Sequence, residues 1–331
     1  MSSFPIIVKN LSGGYLIGLN GTKKYVDAVN NVNFKLEENQ IIGIAGESGC
    51  GKSTLLKMLY GYLKPPLIVR KGEVLLQRKS GSGYIDVLKM NPEERKKQVW
   101  WKYISWIPQN SMNVLNPVTR IRDHFTEVLK VHMKLEGKDA DELAKSYLSN
   151  VGLSEDIMNA FPHQLSGGMR QRIVIALSLI TKPKVVLADE PTTAVDVITQ
   201  RAILQLLANV QKELKNIIIV VSHDLSILAM LSHKIAIMYA GKIVEMGPLD
   251  MVFENPAHPY TKMLLNSLPK LGDKSAKKGV SGSPPDLASP PPGCRFHPRC
   301  QECLSLCKSK EPPFLEVEKD HFVACFLYER R

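Results

Sequence analysis

Eight consecutive residues, Gly46, Glu47, Ser48, Gly49, Cys50, Gly51, Lys52 and Ser53, have the types and spacing needed to hold a phosphate chain. They follow the pattern G-x-x-x-x-G-K-[ST]. Glycines let backbone N–H groups approach phosphate oxygens, and the N-terminus of a following helix adds its dipole. Lys52 brings a point charge to the β- and γ-phosphates, and Ser53 offers a hydroxyl to Mg²⁺. Thr54 continues the same turn into the helix. The context is right: an apolar run "QIIGIA" precedes the loop and the helical run "TLLKMLYGYL" follows it. Cys50 sits where the motif makes no demand on the side chain and reads first as a tolerated small residue. A thiol at a helix N-terminus can nevertheless have a lowered pKa, in which case an alkylator should inhibit and nucleotide should protect.

A phosphate loop alone does not separate GTPases, kinases and ATPases. The run "VVLADEP" narrows the choice, because it ends an apolar strand in Asp189 and Glu190. The aspartate suits a role at or beside Mg²⁺, and the glutamate can polarise an attacking water, which a nucleotide kinase would not need. A third stretch, "LSGGMRQR" at 165–172, opens a helix with Ser166 as cap and Gly167 and Gly168 exposing backbone N–H groups. That makes a second anion site. The chain already carries its own phosphate loop, so a second phosphate binder implies a partner's nucleotide.

The elements that must position these residues follow from periodicity. "QIIGIA", "KVVLAD" and "IIIVVS" are continuous apolar runs, which suit strands buried on both faces. Between about residues 121 and 153 the spacing turns helical, with Ile121, Phe125, Val128 and Leu129 on one face. Strand–helix alternation predicts an α/β fold with a parallel sheet and covering helices, carrying an inserted helical segment at about 110–175. Residues 5–45 read as short β segments separated by a Gly/Asn-rich turn region. Past residue 247 the composition shifts, and "GVSGSPPDLASPPPG" leads into a cysteine cluster.

Bulk properties limit what the chain can be. A length of 331 residues allows two domains. No run approaches the roughly 18–20 apolar residues that span a bilayer, and the N-terminus has no secretory pattern, so a cytoplasmic setting with reduced thiols is expected. The net charge of +11 is scattered over "RKG", "ERKKQ" and "KSAKK" among acidic residues, which argues against a nucleic-acid groove. The cluster comprises Cys294, Cys300, Cys303 and Cys307, with Cys325 beyond it. Reduced and close together, such thiols suit either tetrahedral zinc or a cubane cluster. Cys300-x-x-Cys303 makes a zinc-type knuckle, and His297 and His321 are candidate nitrogen ligands.

Taken in order, residues 46–53, Gln109, residues 165–171, Asp189 with Glu190, Asp196 and His223 resemble the motif series of ABC transporter ATPase subunits over about residues 5–265. The resemblance implies a P-loop NTPase cassette with a mixed β subdomain, a parallel-sheet core and an inserted helical subdomain, using ATP and Mg²⁺. It makes Gln109 a ligand to Mg²⁺ or water, Leu165, Ser166, Gly167, Gly168 and Gln171 the signature that closes on the partner's ATP, Asp196 the D-loop acid, and His223 the γ-phosphate switch. Adenine in this family stacks on an N-terminal aromatic; Tyr15 fits the spacing best and Tyr25 is its rival. "QNSMNVLNPV" and the His258-Pro259-Tyr260 segment resemble the oligopeptide and dipeptide importer branch, with oligosaccharide and nickel importers as near relatives. That branch implies a cassette at 1–265 and a small irregular C-terminal extension at 266–331. It also implies a paralogous second ATPase, two membrane permeases, an extracellular solute-binding protein and a place on the cytoplasmic face of the membrane. By the same resemblance Cys294, Cys300, Cys307 and Cys325 are the ligands of a 4Fe–4S cluster, with Cys303 departing from the family pattern. A non-transport ABC ATPase, or an iron–sulfur sensing protein with an ancillary ATPase, would need features the sequence lacks.

Overall fold

Isoleucine- and valine-rich runs without polar alternation settle into strands with both faces covered, and the amphipathic stretches become helices around them. The computed structural model describes residues 4–19, 22–78, 83–193, 195–268 and 282–329. In chain order β1 (Ile6–Leu19), β2 (Thr22–Leu36) and β3 (Ile41–Ala45) precede α1 (Lys52–Tyr60), which Gly61 ends in the left-handed conformation. Next come β4 (Leu67–Gln77), β5 (Tyr84–Asp86) and α2 (Pro92–Gln98), the last started by a capping box of Asn91 and Glu94. β6 (Ile104–Ile107), α3 (Ile121–Met133), α4 (Gly137–Asn150) and α5 (Gly167–Leu179) follow. The chain then runs through β7 (Val185–Asp189), α6 (Val197–Leu214), β8 (Ile217–Ser222) and α7 (Leu225–Leu231). It closes with β9 (Lys234–Tyr239), β10 (Lys242–Pro248), α8 (Leu249–Glu254), α9 (Pro259–Asn266), β11 (Phe314–Glu318) and β12 (His321–Ala324). Among the described residues no helix is long and apolar enough to cross a membrane.

Two compact units divide the chain. The first comprises Met1–Glu37, Ile42–Leu88 and Val221–Arg331. It holds an antiparallel sheet in the order β2-β1-β4-β5 and a run of strands in the order β11-β12-β10-β9-β3. β3 and β9 pair in parallel from Ile42↔Lys234 to Ala45↔Ile237, whereas β9, β10, β12 and β11 pair antiparallel. The C-terminal residues thus add strands to the sheet that carries the phosphate loop. Glu245 on β10, fully buried, anchors them: its carboxylate accepts the N–H groups of Ala257 (2.7 Å) and His258 (2.8 Å) and bonds His321 Nε2 at 2.8 Å. Arg295 bonds the Ala240 carbonyl and the Asp27 carboxylate, and Asp27 N–H donates to Leu287 O at 2.8 Å.

The second unit comprises Glu38–Ile41 and Lys89–Val220. Its strands lie in the order β8-β7-β6, with β6 parallel to β7 from Ile104↔Val185 to Ile107↔Ala188. Ile121, Phe125 and Leu129 form the buried face of α3, and Ala140, Ala144, Tyr147 and Leu148 that of α4. Lys134, at φ 57°, ends α3 and separates the two.

The N-terminal region departs from the sequence reading. β1 runs straight through the segment expected to turn, and the register shifts between Val8 and Leu11, Leu11 and Gly13, and Gly13 and Tyr15 take up the irregularity. Asn10 (φ 49°) and Asn31 (φ 52°) adopt the left-handed backbone that asparagine tolerates. Turn-type residues here make bulges inside long strands.

Candidate functional site

β3 delivers the chain to the phosphate loop and α1 carries it away. Gly51 has φ 110°, and a Cβ there would stand 1.9 Å from the Ala28 carbonyl oxygen, so only glycine allows the turn. α1 has no side-chain cap. Lys52, 6% exposed, folds its ammonium into the ring of the loop and donates to the carbonyls of Gly46 (2.7 Å) and Glu47 (3.0 Å). Ser53 lies on the first turn of α1, and Thr54 is buried behind it. Ser48 and Gly49 are exposed at the loop's crest.

Cys50 corrects an expectation. It is 5% exposed, and burial pushes its thiol up despite Lys52 Nζ at 3.8 Å. Loss of hydration outweighs the nearby ammonium, so the buried thiol is not acidified.

Tyr15 lies half-buried on β1. Its hydroxyl is 3.1 Å from Thr54 Oγ1, and Lys57 Nζ lies 5.9 Å from its ring centroid. Tyr25 is placed differently: the Arg70 guanidinium carbon sits 3.3 Å from its ring centroid. Its buried hydroxyl has no partner among the described residues, and burial raises its pKa. Arg70 therefore covers one ring face of Tyr25. His223 is exposed after β8, with Asp224 beside it capping α7 through Ser226 N–H at 2.8 Å.

The second unit gathers the other motif residues. Asp189 ends β7 in a buried position, and Glu190 follows with φ 49°. A left-handed glutamate is uncommon, and its cost is the kind of local strain that functional turns store. Thr193 Oγ1 donates to Glu190 Oε2 at 2.8 Å and so fixes the carboxylate. Asp196 caps α6, accepting the N–H groups of Ile198 (3.0 Å) and Thr199 (2.9 Å). The Thr199 hydroxyl donates to it at 2.6 Å, and these bonds hold its carboxyl below the usual range. Thr199 also meets the signature: a Cβ on Gly168 would lie 2.7 Å from its methyl. Gly167 opens α5, Leu165 precedes it half-buried, and Ser166 Oγ caps it by accepting Met169 N–H at 3.3 Å. Gln171 is 1% exposed, its Oε1 without a partner among the described residues. Gln109 is exposed just past β6. Thr193 and Thr199 escaped the sequence reading; a hydroxyl three residues after an acid is the only signal they leave.

The cysteine segment lies in the first unit. Cys294, Cys300, Cys307 and Cys325 line one cavity together with His258, Phe296, His297 and Glu302. Cys303 is not on its lining, and His321 is committed to Glu245. The six cysteines are free of disulfides. Burial pushes the Cys294 thiol up to about 12 and the Cys325 thiol up to about 11. Among the described residues no group of three His, Cys, Asp or Glu is placed to hold a metal ion. Four thiols on one cavity are a donor set that either zinc or an iron–sulfur cluster could use.

Comparison with known proteins decides the assignment. Residues 29–193 match the ABC transporter family, and residues 244–307 match the oligopeptide/dipeptide transporter C-terminal region. The dipeptide transport ATP-binding protein DppD of Caldanaerobacter subterraneus subsp. tengcongensis is 39% identical over 330 residues, 99% of this chain and 98% of that protein. The chain belongs to the ABC transporter ATP-binding family. The oligopeptide transport ATP-binding protein OppD of Bacillus subtilis is 39% identical over 307 residues, 91% of this chain and 84% of that protein. Among solved structures, the ATP-binding cassette MJ0796, determined as a dimer bound to ADP and Pi, matches with TM-score 0.62 and 27% identity, covering 74% of this chain and 98% of that one. The fold is that of an ABC cassette, and the chain is an ATPase.

Proposed function

We propose that this ABC ATPase energises an importer of oligopeptides or dipeptides from the cytoplasmic face of the membrane. It works with a paralogous ATPase, two permease subunits and an external solute-binding protein. One observation carries the reading: a complete ABC motif series and an oligopeptide/dipeptide-type C-terminal region occur on one chain, which a dipeptide transport ATPase matches from end to end. In this reading the cassette occupies residues 1–265, with its helical subdomain at about 110–175, and the extension residues 266–331.

Tyr15 stacks on adenine, the loop N–H groups at 46–53 hold the phosphates, and Lys52 neutralises the β- and γ-phosphates. Ser166, Gly167 and Gly168 present the capped start of α5 to the nucleotide on the partner subunit, and Asp196 holds the adjoining turn. Glu190, oriented by Thr193, accepts a proton from the attacking water; His223 contacts the γ-phosphate, and Gln109 relays its state to the permeases. Ser53, Gln109 and Asp189 would hold Mg²⁺, which would supply positive charge to the phosphates. Cys294, Cys300, Cys307 and Cys325 would hold a 4Fe–4S cluster, which would cross-link the C-terminal segment.

Glu190→Gln tests the catalytic assignment: hydrolysis should fall at least about 100-fold while ATP still binds, and wild-type turnover in that variant would refute it. Uptake of labelled dipeptides and longer peptides by the reconstituted importer tests the solute; uptake of oligosaccharide or nickel instead would replace the peptide reading. Iron analysis with absorbance near 400 nm tests the cluster, and stoichiometric zinc without that band would overturn it.

A further inference from the structure

The second residue of the phosphate loop is held by the C-terminal segment. Arg299 Nη1 donates to Glu47 Oε2 at 2.7 Å and Nη2 to Oε1 at 3.0 Å, a bidentate pair. The Arg299 side chain is 5% exposed and that of Glu47 is 23% exposed. Arg299 Nη1 also reaches the Tyr239 hydroxyl at 3.3 Å. From the other side, Glu47 N–H donates to the Tyr260 hydroxyl at 3.1 Å. Tyr260 packs with Tyr239 and Phe296 at centroid distances of 4.5 and 5.3 Å, so the clamp rests on a packed aromatic triad. The short helical turn His297–Arg299 that carries the guanidinium also leads directly into Cys300, and His297 N–H is tied to Cys294 O at 2.9 Å.

A carboxylate in a loop built to hold a polyanion is electrostatically costly unless it is neutralised. We propose that Arg299 is a positioning residue for the phosphate loop: by neutralising and holding Glu47, it lets the cysteine-rich segment set the loop's affinity for nucleotide. The inference rests on ATP binding at residues 46–53. Because linkage is reciprocal, whatever reshapes the turn at His297–Cys300 changes nucleotide affinity, and bound nucleotide stabilises the turn.

The test uses full-length protein, with TNP-ATP and Mg²⁺ as probe and steady-state hydrolysis as second readout. Arg299→Ala should weaken TNP-ATP binding about tenfold, about 1.4 kcal/mol, and raise KM to match, with kcat within about twofold. Adding Glu47→Gln to Arg299→Ala removes the unneutralised charge and should restore most of the affinity, a coupling that a purely structural loss would not show. Glu311→Gln breaks the ion pair of this segment with Lys242 on β10 and should change nothing. Unchanged affinity in folded Arg299→Ala, or a double variant as weak as the single, would overturn the proposal. Should Arg299→Ala fail to fold, Glu47→Gln alone decides: tighter TNP-ATP binding, from a guanidinium freed of its carboxylate, supports the clamp, and unchanged or weaker binding overturns it. Failure of the wild-type chain to bind TNP-ATP would instead overturn the nucleotide reading itself.

Discussion

α1 begins at Lys52 behind Gly51 with no side chain capping it, whereas α5 begins at Gly167 behind Ser166, whose hydroxyl takes the Met169 N–H. Both starts are glycine-rich, and both belong to motifs that bind phosphate in this family. The first four N–H groups of a helix need partners, and a cap supplies one of them. α1 has no such side chain, in keeping with a terminus whose donors serve a ligand and whose charge comes from Lys52. α5 has one of those groups met by its own Ser166 side chain before any ligand arrives. α2 is the third case, a helix start where Asn91 and Glu94 cap each other's N–H reciprocally.

Three substitutions would break or sharpen that contrast. Lys52→Ala removes the charge at the uncapped start, and nucleotide binding measured by titration should weaken roughly 10- to 100-fold. Ser166→Ala removes a cap and a candidate ligand together. Denaturation should show a loss of about 1 kcal/mol, and hydrolysis should drop while nucleotide still binds the isolated subunit. Lost nucleotide binding in that variant would mean the two starts serve one nucleotide on the same chain. Asn91→Ala should cost about 1 kcal/mol and leave hydrolysis unchanged; a changed rate would give α2 a role that its cap does not predict.

Features set by contiguous spacing were legible in the sequence. β3, β7 and β8 lie where uninterrupted apolar runs placed them, and the helices at 121–150 follow the periodicity that marked their buried face. Properties set by what fills the space around a residue were not. Cys50 looked like an acidified thiol because local rules see the helix start and Lys52 but not the burial that outweighs them. That Arg70 lies across the Tyr25 ring is a contact no spacing rule predicts. Glu47 and Arg299 are 252 residues apart, and no spacing rule joins them. That Cys294, Cys300, Cys307 and Cys325 line one cavity and Cys303 does not depends on the path of the chain, which residue type alone does not give.

The bond from Arg295 to Asp27 joins residues 268 positions apart, and Asp27 N–H waits on Leu287 as well. The first unit is thus tied across its sequence, and a chain shortened before Leu287 should lose both of these bonds to Asp27 together with β11 and β12.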